Sequence, residues 1–183
     1  MALHQWALAT RTFRKMFGGD GGSTGVDETF AVESFANVGA WILGRNMFGP
    51  VRGPWLDDSW KGWWGPEPSY HAPVFVLTHH ARAPLVMEGG TTFFFVTDGI
   101  ESALEQAKAA AQGKDVRISG GAYTIKEYIS AGLIDEFTLH IAPMLLGEGV
   151  RLLDRFSRDK LKLEQVSAVG SKLVTHVTYR VVR

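Results

Sequence analysis

Apolar positions along the chain fall into helix-spaced stripes and short unbroken runs, and their order predicts an α/β protein. Leu3 to Phe17 carries Trp6, Phe13 and Phe17 as apolar anchors and predicts a helix or helical turns, broken by Gly18-Gly19-Asp20-Gly21-Gly22. Ser23 and Thr24 are suited to cap a second helix from about Val26 to Val38, with Phe30, Phe35 and Val38 on an imperfect apolar stripe. Ala40-Trp41-Ile42-Leu43 is a short apolar run of the kind a buried strand requires. Val74 to Leu77 and Thr92 to Val96 repeat that pattern. Between the first two runs, Phe48 to Ala72 is rich in Gly, Pro and Trp, including Gly62-Trp63-Trp64-Gly65-Pro66. It reads as a long surface excursion whose tryptophans pack it down.

Asp98-Gly99-Ile100-Glu101 has the form of a capping box and opens a helix to about Gln112. Ile100, Ala103, Leu104 and Ala107 share one face of it, and Gly113 is its stop. Val116 to Ile118 predicts a strand that turns through Ser119-Gly120-Gly121 into a helix ending near Gly132. Phe137 to Ala142 alternates as a strand does and is closed by Pro143. Leu161 to Val169 and Lys172 to Val182 predict a hairpin joined at Gly170-Ser171. Strands separated by helices imply a mostly parallel sheet with right-handed crossovers, to which the hairpin adds an antiparallel part. No repeat, low-complexity segment or second domain is visible, so residues 1–183 read as one domain.

Composition narrows the field of functions. The 19 Lys and Arg balance the 19 Asp and Glu, so there is no basic field to draw in nucleic acid or an anionic membrane. No apolar stretch approaches the roughly 20 residues that span a bilayer. Met1 to Thr10 lacks a basic head followed by a long apolar run, so no signal peptide is expected. The chain has no cysteine, which removes disulfides, thiol catalysis and Cys-based zinc sites. A cytoplasmic protein is the expectation.

Candidate chemistry gathers at strand exits. A strand that turns through Gly120-Gly121 into a helix lets the backbone approach a ligand, and the free N–H groups from Ala122 to Thr124 favour an anion such as pyrophosphate. The hydroxyl of Ser119 or Thr124 is placed to add a hydrogen bond. Leu43-Gly44-Arg45, followed by Asn46-Met47-Phe48, offers a planar guanidinium fork to phosphate oxygens. Read alone, Arg45 is better taken as a solvated arginine at a sheet edge. The exit Leu77-Thr78-His79-His80-Ala81-Arg82 brings a hydroxyl, two imidazoles and a guanidinium together. Adjacent histidines point to opposite faces of an extended chain, so phosphate suits them better than zinc, and no metal is expected. Ligands of open α/β sheets bind at the carboxyl ends of the strands, where all three exits lie. A Gly-x-Gly-x-x-Gly fingerprint is missing at these turns, which speaks against an ordinary Rossmann domain.

The ordered set of motifs resembles the dihydrofolate-reductase-like family, and within it the reductase domain of riboflavin biosynthesis. Trp41 to Phe48 resembles that family's strand and Gly-Arg turn, and Val74 to His80 the strand after it. Phe95 to Ile100, Ile118 to Ala122 and Gly132 to Glu136 continue the series. His140-Ile141-Ala142-Pro143-Met144-Leu145-Leu146-Gly147-Glu148-Gly149 is similar to the strand and loop of the riboflavin-type domain. The resemblance implies a three-layer α/β fold, with a mostly parallel central sheet, a C-terminal antiparallel hairpin and flanking helices. It implies NADPH as cofactor, with Leu43 to Met47, Thr78, His79 and His80 near its 2′-phosphate and pyrophosphate. Ser119 to Thr124 would cradle the pyrophosphate, and Thr97, Asp98 and Gly99 would lie near the adenosine half. A cis bond is expected at Gly120–Gly121, and a homodimer is expected from the family.

The favoured expectation is hydride transfer from NADPH to a small pterin- or pyrimidinone-like heterocycle. Glu148, a carboxylate beside two glycines, is the candidate for substrate contact, and Trp6 and Phe13 for aromatic contact unless they are core. Relatives of this type begin with a further strand, central to the sheet and carrying a Ser-x-Asp-Gly-like turn, whereas this chain starts after it. A truncated chain, a misplaced start, or replacement from elsewhere or from a partner would each account for that. The rival readings are a non-catalytic NADP-binding protein with a degenerate substrate site, and a dimerisation domain with no ligand.

Overall fold

The computed structural model describes residues 2–153 and 161–183. In chain order the elements are α1 (Gln5–Leu8), α2 (Arg11–Met16), α3 (Val26–Glu33), β1 (Val38–Gly44), α4 (Arg45–Phe48), β2 (Pro73–Leu77), β3 (Leu85–Val86), β4 (Thr92–Val96), α5 (Ile100–Ala111), β5 (Asp115–Ile118), α6 (Ala122–Ser130), β6 (Glu136–Ile141), β7 (Lys162–Gly170) and β8 (Thr175–Val182). They group into two compact units, one of residues 37–129 and one of residues 1–36 with 130–183.

The first of these units is built on a sheet of order β3-β4-β2-β1-β5. β4, β2, β1 and β5 run parallel, and β3 is antiparallel to β4. The apolar runs behave as strands covered on both faces must: Ala40 to Leu43 and Val74 to Val76 are buried throughout. α5 packs on β1, β2 and β5 and buries Ala103, Leu104, Ala107 and Ala111. Mostly small side chains there allow a close approach to the sheet. Tyr128 of α6 is fully buried, and its hydroxyl donates to Ile100 O at 2.8 Å. Burial, and then the Glu101 carboxylate, push that phenol well above the usual tyrosine range.

Three helix boundaries differ from the sequence expectation. α3 stops at Glu33 rather than Val38, because Ser34 Oγ folds back onto Phe30 O at 2.8 Å and Asn37 then takes φ +54° on the way into β1. Neither Ser23 nor Thr24 caps α3; Gly25 precedes it, and the backbone of Ser23 is tied to Ala9 and Arg11 as a bridge to Thr10. The capping box at Asp98 does not form. α5 opens on Gly99, and Asp98 Oδ1 instead accepts the Thr97 hydroxyl at 3.1 Å.

The other unit carries an antiparallel sheet of order β6-β8-β7, with β6 paired from Glu136 opposite Arg180 to Ile141 opposite Thr175. The terminal hairpin therefore joins β6 in a sheet of its own. Trp6, Ala7 and Val174 form the core beside α1 to α3, with Phe13 and Phe30 packed on it. His176 is wholly buried there, stacked on Phe30 and hydrogen-bonded to His140 at 2.7 Å and Asp27 at 2.9 Å. Both ring nitrogens of His176 are thus hydrogen-bonded, as burial demands.

Thr10, also fully buried, caps α2: its hydroxyl accepts from Phe13 N–H at 3.3 Å and donates to Ala7 O at 2.5 Å. Thr10→Ala is expected to cost about 1–2 kcal/mol of stability, read by urea unfolding, since it removes the cap on the Phe13 N–H and one of the two hydrogen bonds to Ala7 O. A loss under about 0.3 kcal/mol would show that the cap contributes nothing.

Candidate functional site

Parallel register puts four strand ends side by side. Gly44 of β1 lies opposite Leu77 of β2, Leu77 opposite Val96 of β4, and Ile42 of β1 opposite Ile118 of β5. Thr97 to Gly99, Thr78 to Arg82, Arg45 to Met47 and Ser119 to Thr124 accordingly leave the sheet at one edge. That is the edge at which an open α/β sheet binds ligands.

The exits of β1 and β5 are locked together. Gly44 N–H donates to Gly120 O at 2.7 Å, and Ser119 N–H to Ile42 O at 2.8 Å. A Cβ on Gly44 would meet the Thr124 hydroxyl oxygen, 2.3 Å away, so a larger residue here would displace that side chain. Gly120 takes φ +103°, and the Gly120–Gly121 peptide is cis, as the resemblance implies. A Cβ on Gly120 would lie 3.8 Å from Met47, which places that side chain over the turn. The first bond of α6 runs from Ile125 N–H to Gly121 O at 3.1 Å, so the N–H groups of Ala122, Tyr123 and Thr124 precede the helical ladder.

The exits of β1 and β2 meet in a cationic cluster. Arg45 lies over the Trp55 ring, its Cζ 3.0 Å from the ring centroid, and Nη1 donates to Thr78 Oγ1 at 3.3 Å. Thr78 is buried, and its hydroxyl also accepts from His80 N–H at 3.2 Å. Thr78 thus orients Arg45 and the turn. Arg82 Cζ sits 4.8 Å from the same Trp55 ring, 5.2 Å from Phe95 and 5.7 Å from Phe48. Its side chain is only 4% exposed. Arg45 Nε and Nη2 and Arg82 Nη1 are buried with no hydrogen-bond partner among the described residues. Burial lowers the Arg45 pKa, and the nearby Arg82 and Arg52 lower it further. Two guanidiniums with buried, unpaired N–H groups form a site short of an anion.

The remaining candidates are less engaged. His79, Asn46 and Met47 are exposed beside the cluster, and Thr97, Asp98 and Gly99 are exposed at the end of β4. His80 contributes its backbone, accepting Trp55 Nε1–H at 2.9 Å. In the other unit, Glu148 is exposed in the loop after β6, while Trp6 is core. Sequence reasoning missed Trp55, Asp58 and Arg52, all on the excursion of residues 49–72. Its abundance of tryptophan beside an arginine turn was the available signal.

A sheet of this order with these strand exits is the architecture of the dihydrofolate-reductase-like proteins. Dihydrofolate reductase from Enterococcus faecalis, complexed with NADP(H), is similar with a TM-score of 0.52 at 19% identity, covering 90% of this chain and 86% of that one. A putative riboflavin biosynthesis protein from Shewanella sp. PV-4 has a TM-score of 0.62 at 24% identity, covering 89% and 84%. A diaminohydroxyphosphoribosylaminopyrimidine deaminase/5-amino-6-(5-phosphoribosylamino)uracil reductase from Thermotoga maritima gives 0.56 at 18%, covering 90% and 52%. The chain belongs to the RibD C-terminal domain family, whose profile matches residues 7–175. YyaP of Bacillus subtilis is 38% identical over 81 residues, 44% of this chain. The alignments span less than half the length of YyaP and of a second B. subtilis relative, YwjB.

Proposed function

We propose that the protein is an NADPH-dependent reductase of a small pterin- or pyrimidinone-like compound, of the riboflavin-pathway kind. The observation that carries this reading is the pair of guanidiniums, Arg45 and Arg82, with buried and unpaired N–H groups at parallel-strand ends. A dinucleotide with a 2′-phosphate fits that deficit, and membership of the RibD C-terminal domain family supports the same choice. Arg45 and Arg82 would hold the 2′-phosphate, in a turn ordered by Thr78. The N–H groups of Ala122 to Thr124 would take the pyrophosphate, and Thr97 to Gly99 would flank the adenosine. When bound, NADPH supplies a hydride, and the reduction also consumes one proton. The protein's own part is to orient the two reactants and exclude water from between them.

Thermal unfolding with increasing NADPH, against NADH as control, tests the reading. A ligand at 100 times its Kd stabilises the native state by about 2.7 kcal/mol, which for a chain of this size is a midpoint rise of roughly 5–10 °C. The rise is expected to be larger for NADPH than for NADH, and no rise with either would remove the cofactor site. Stabilisation by NADPH without its oxidation in the presence of pterins or pyrimidinones would favour the non-catalytic NADP-binding reading, which uses the same turns.

A further inference from the structure

Among the described residues, the carboxylate ion-paired to the Arg82 guanidinium is that of Asp58, and it is poorly suited to be permanent. Asp58 Oδ1 lies 3.1 Å from Arg82 Nε, and Asp58 O accepts from Nη2 at 3.0 Å. The Asp58 side chain is 86% exposed, whereas that of Arg82 is 4% exposed. An exposed carboxylate gives up hydration and side-chain entropy to hold this position, and such pairs are weak. Asp57, next in the chain, is committed elsewhere: its Oδ1 accepts from both the amide and the hydroxyl of Ser59.

Charge counting shows what the arrangement prepares for. Arg45 and Arg82 both lie over the Trp55 indole and together carry two positive charges, with Arg52 nearby. With Asp58 in place the cluster retains a net positive charge, and three buried nitrogens remain unpaired. A phosphate monoester carries about −1.5 to −2 near neutral pH and three strong acceptor oxygens. A dianion bound to both guanidiniums would compete with Asp58 for the Arg82 donors, since Asp58 now occupies Nε and Nη2. A phosphodiester, with a single charge, would compete more weakly.

We propose that Asp58 is a displaceable counter-ion that holds Arg82 in the ligand-free protein and gives way to a phosphate monoester dianion bound by Arg45 and Arg82. The inference rests on the proposed function in treating these strand exits as a phosphate site. Two carriers offer the same group, the 2′-phosphate of the dinucleotide and the terminal phosphate of a phosphorylated sugar on the substrate.

Calorimetric titration of the whole chain with adenosine 2′-monophosphate, ribose 5-phosphate, NADPH and NADH tests it, comparing wild type with Asp58→Asn. The exposed position makes this variant a safe one for folding. Asp58→Asn is expected to bind its monoester ligand roughly 3- to 5-fold tighter, the scale of an exposed ion pair, and to leave NADH unchanged. The ligand that tightens identifies the carrier. Asp57→Asn removes the same charge one residue away and is expected to change affinity far less. Equal tightening by both variants would overturn the proposal in favour of a general field effect. Failure of wild type and Asp58→Asn alike to bind any of the monoesters would also overturn it. NADPH oxidation with no effect of Asp58→Asn on any affinity would remove the counter-ion while leaving the reductase reading intact. Tightening without NADPH oxidation on any substrate would keep the counter-ion and remove the reductase.

Discussion

Arg45→Met is expected to weaken NADPH binding about 10- to 150-fold, with NADH binding little changed and the free protein no less stable. The affinity loss follows from removing charge-assisted contacts to phosphate, worth about 1.5–3 kcal/mol. The neutral effect on stability is the more diagnostic half. In the ligand-free protein, Arg45 has two buried nitrogens without partners, one long bond to Thr78 at 3.3 Å, and a second guanidinium on the same indole. Its favourable term is the stacking on Trp55 at 3.0 Å, about 0.5–2 kcal/mol, against an unsatisfied-donor penalty of about 1–3 kcal/mol. Methionine keeps apolar contact with the indole and removes the unpaired charge. Paired calorimetry and thermal unfolding read both halves. Unchanged NADPH affinity would sink the assignment of Arg45, and a loss above about 2 kcal/mol in the free protein would mean that Arg45 is structural.

Strand exits were legible because each element of their chemistry is local. A buried run such as Ala40 to Leu43 needs only apolar side chains, and the exit after it is named by its neighbours in sequence. Gly44 could be read as part of a turn, but what a side chain there would meet lies 80 residues away, at Thr124 Oγ1. The cis peptide at Gly120–Gly121 came from the resemblance to a family and not from local physics. What failed was capping. Asp98 has the spacing of a capping residue, yet Thr97 supplies a nearer hydroxyl, and Gly99 opens the helix instead. Trp55 and Asp58 were illegible because the excursion carrying them has no period to read. Its course is fixed by long-range bonds, Trp55 Nε1–H to His80 O and Trp60 Nε1–H to Phe48 O, both at 2.9 Å.

Phe48→Ala is expected to be among the most damaging single substitutions in the unit of residues 37–129, at about 3–5 kcal/mol, or on the order of 10 °C in midpoint. Phe48 is 2% exposed at the end of α4 and meets Phe93 and Phe95 edge-on, both at 5.1 Å, and Trp55 at 5.9 Å. Arg82 lies 5.7 Å over the same ring. The side chain therefore fills the space between the strand ends and the excursion that carries Trp55 and Asp58. Emptying that space removes the support on which Trp55 holds Arg45, so NADPH stabilisation should fall with the midpoint. Phe48→Leu keeps most of the volume and loses the aromatic edges, and a cost nearer 1–2 kcal/mol is expected for it. Urea unfolding of both variants, each with and without saturating NADPH, separates the two effects. If Phe48→Ala costs less than about 1 kcal/mol, the excursion is held by its indole hydrogen bonds rather than by this packing. If it costs the full amount yet leaves the NADPH-induced rise intact, Arg45 and Arg82 hold their places without Trp55.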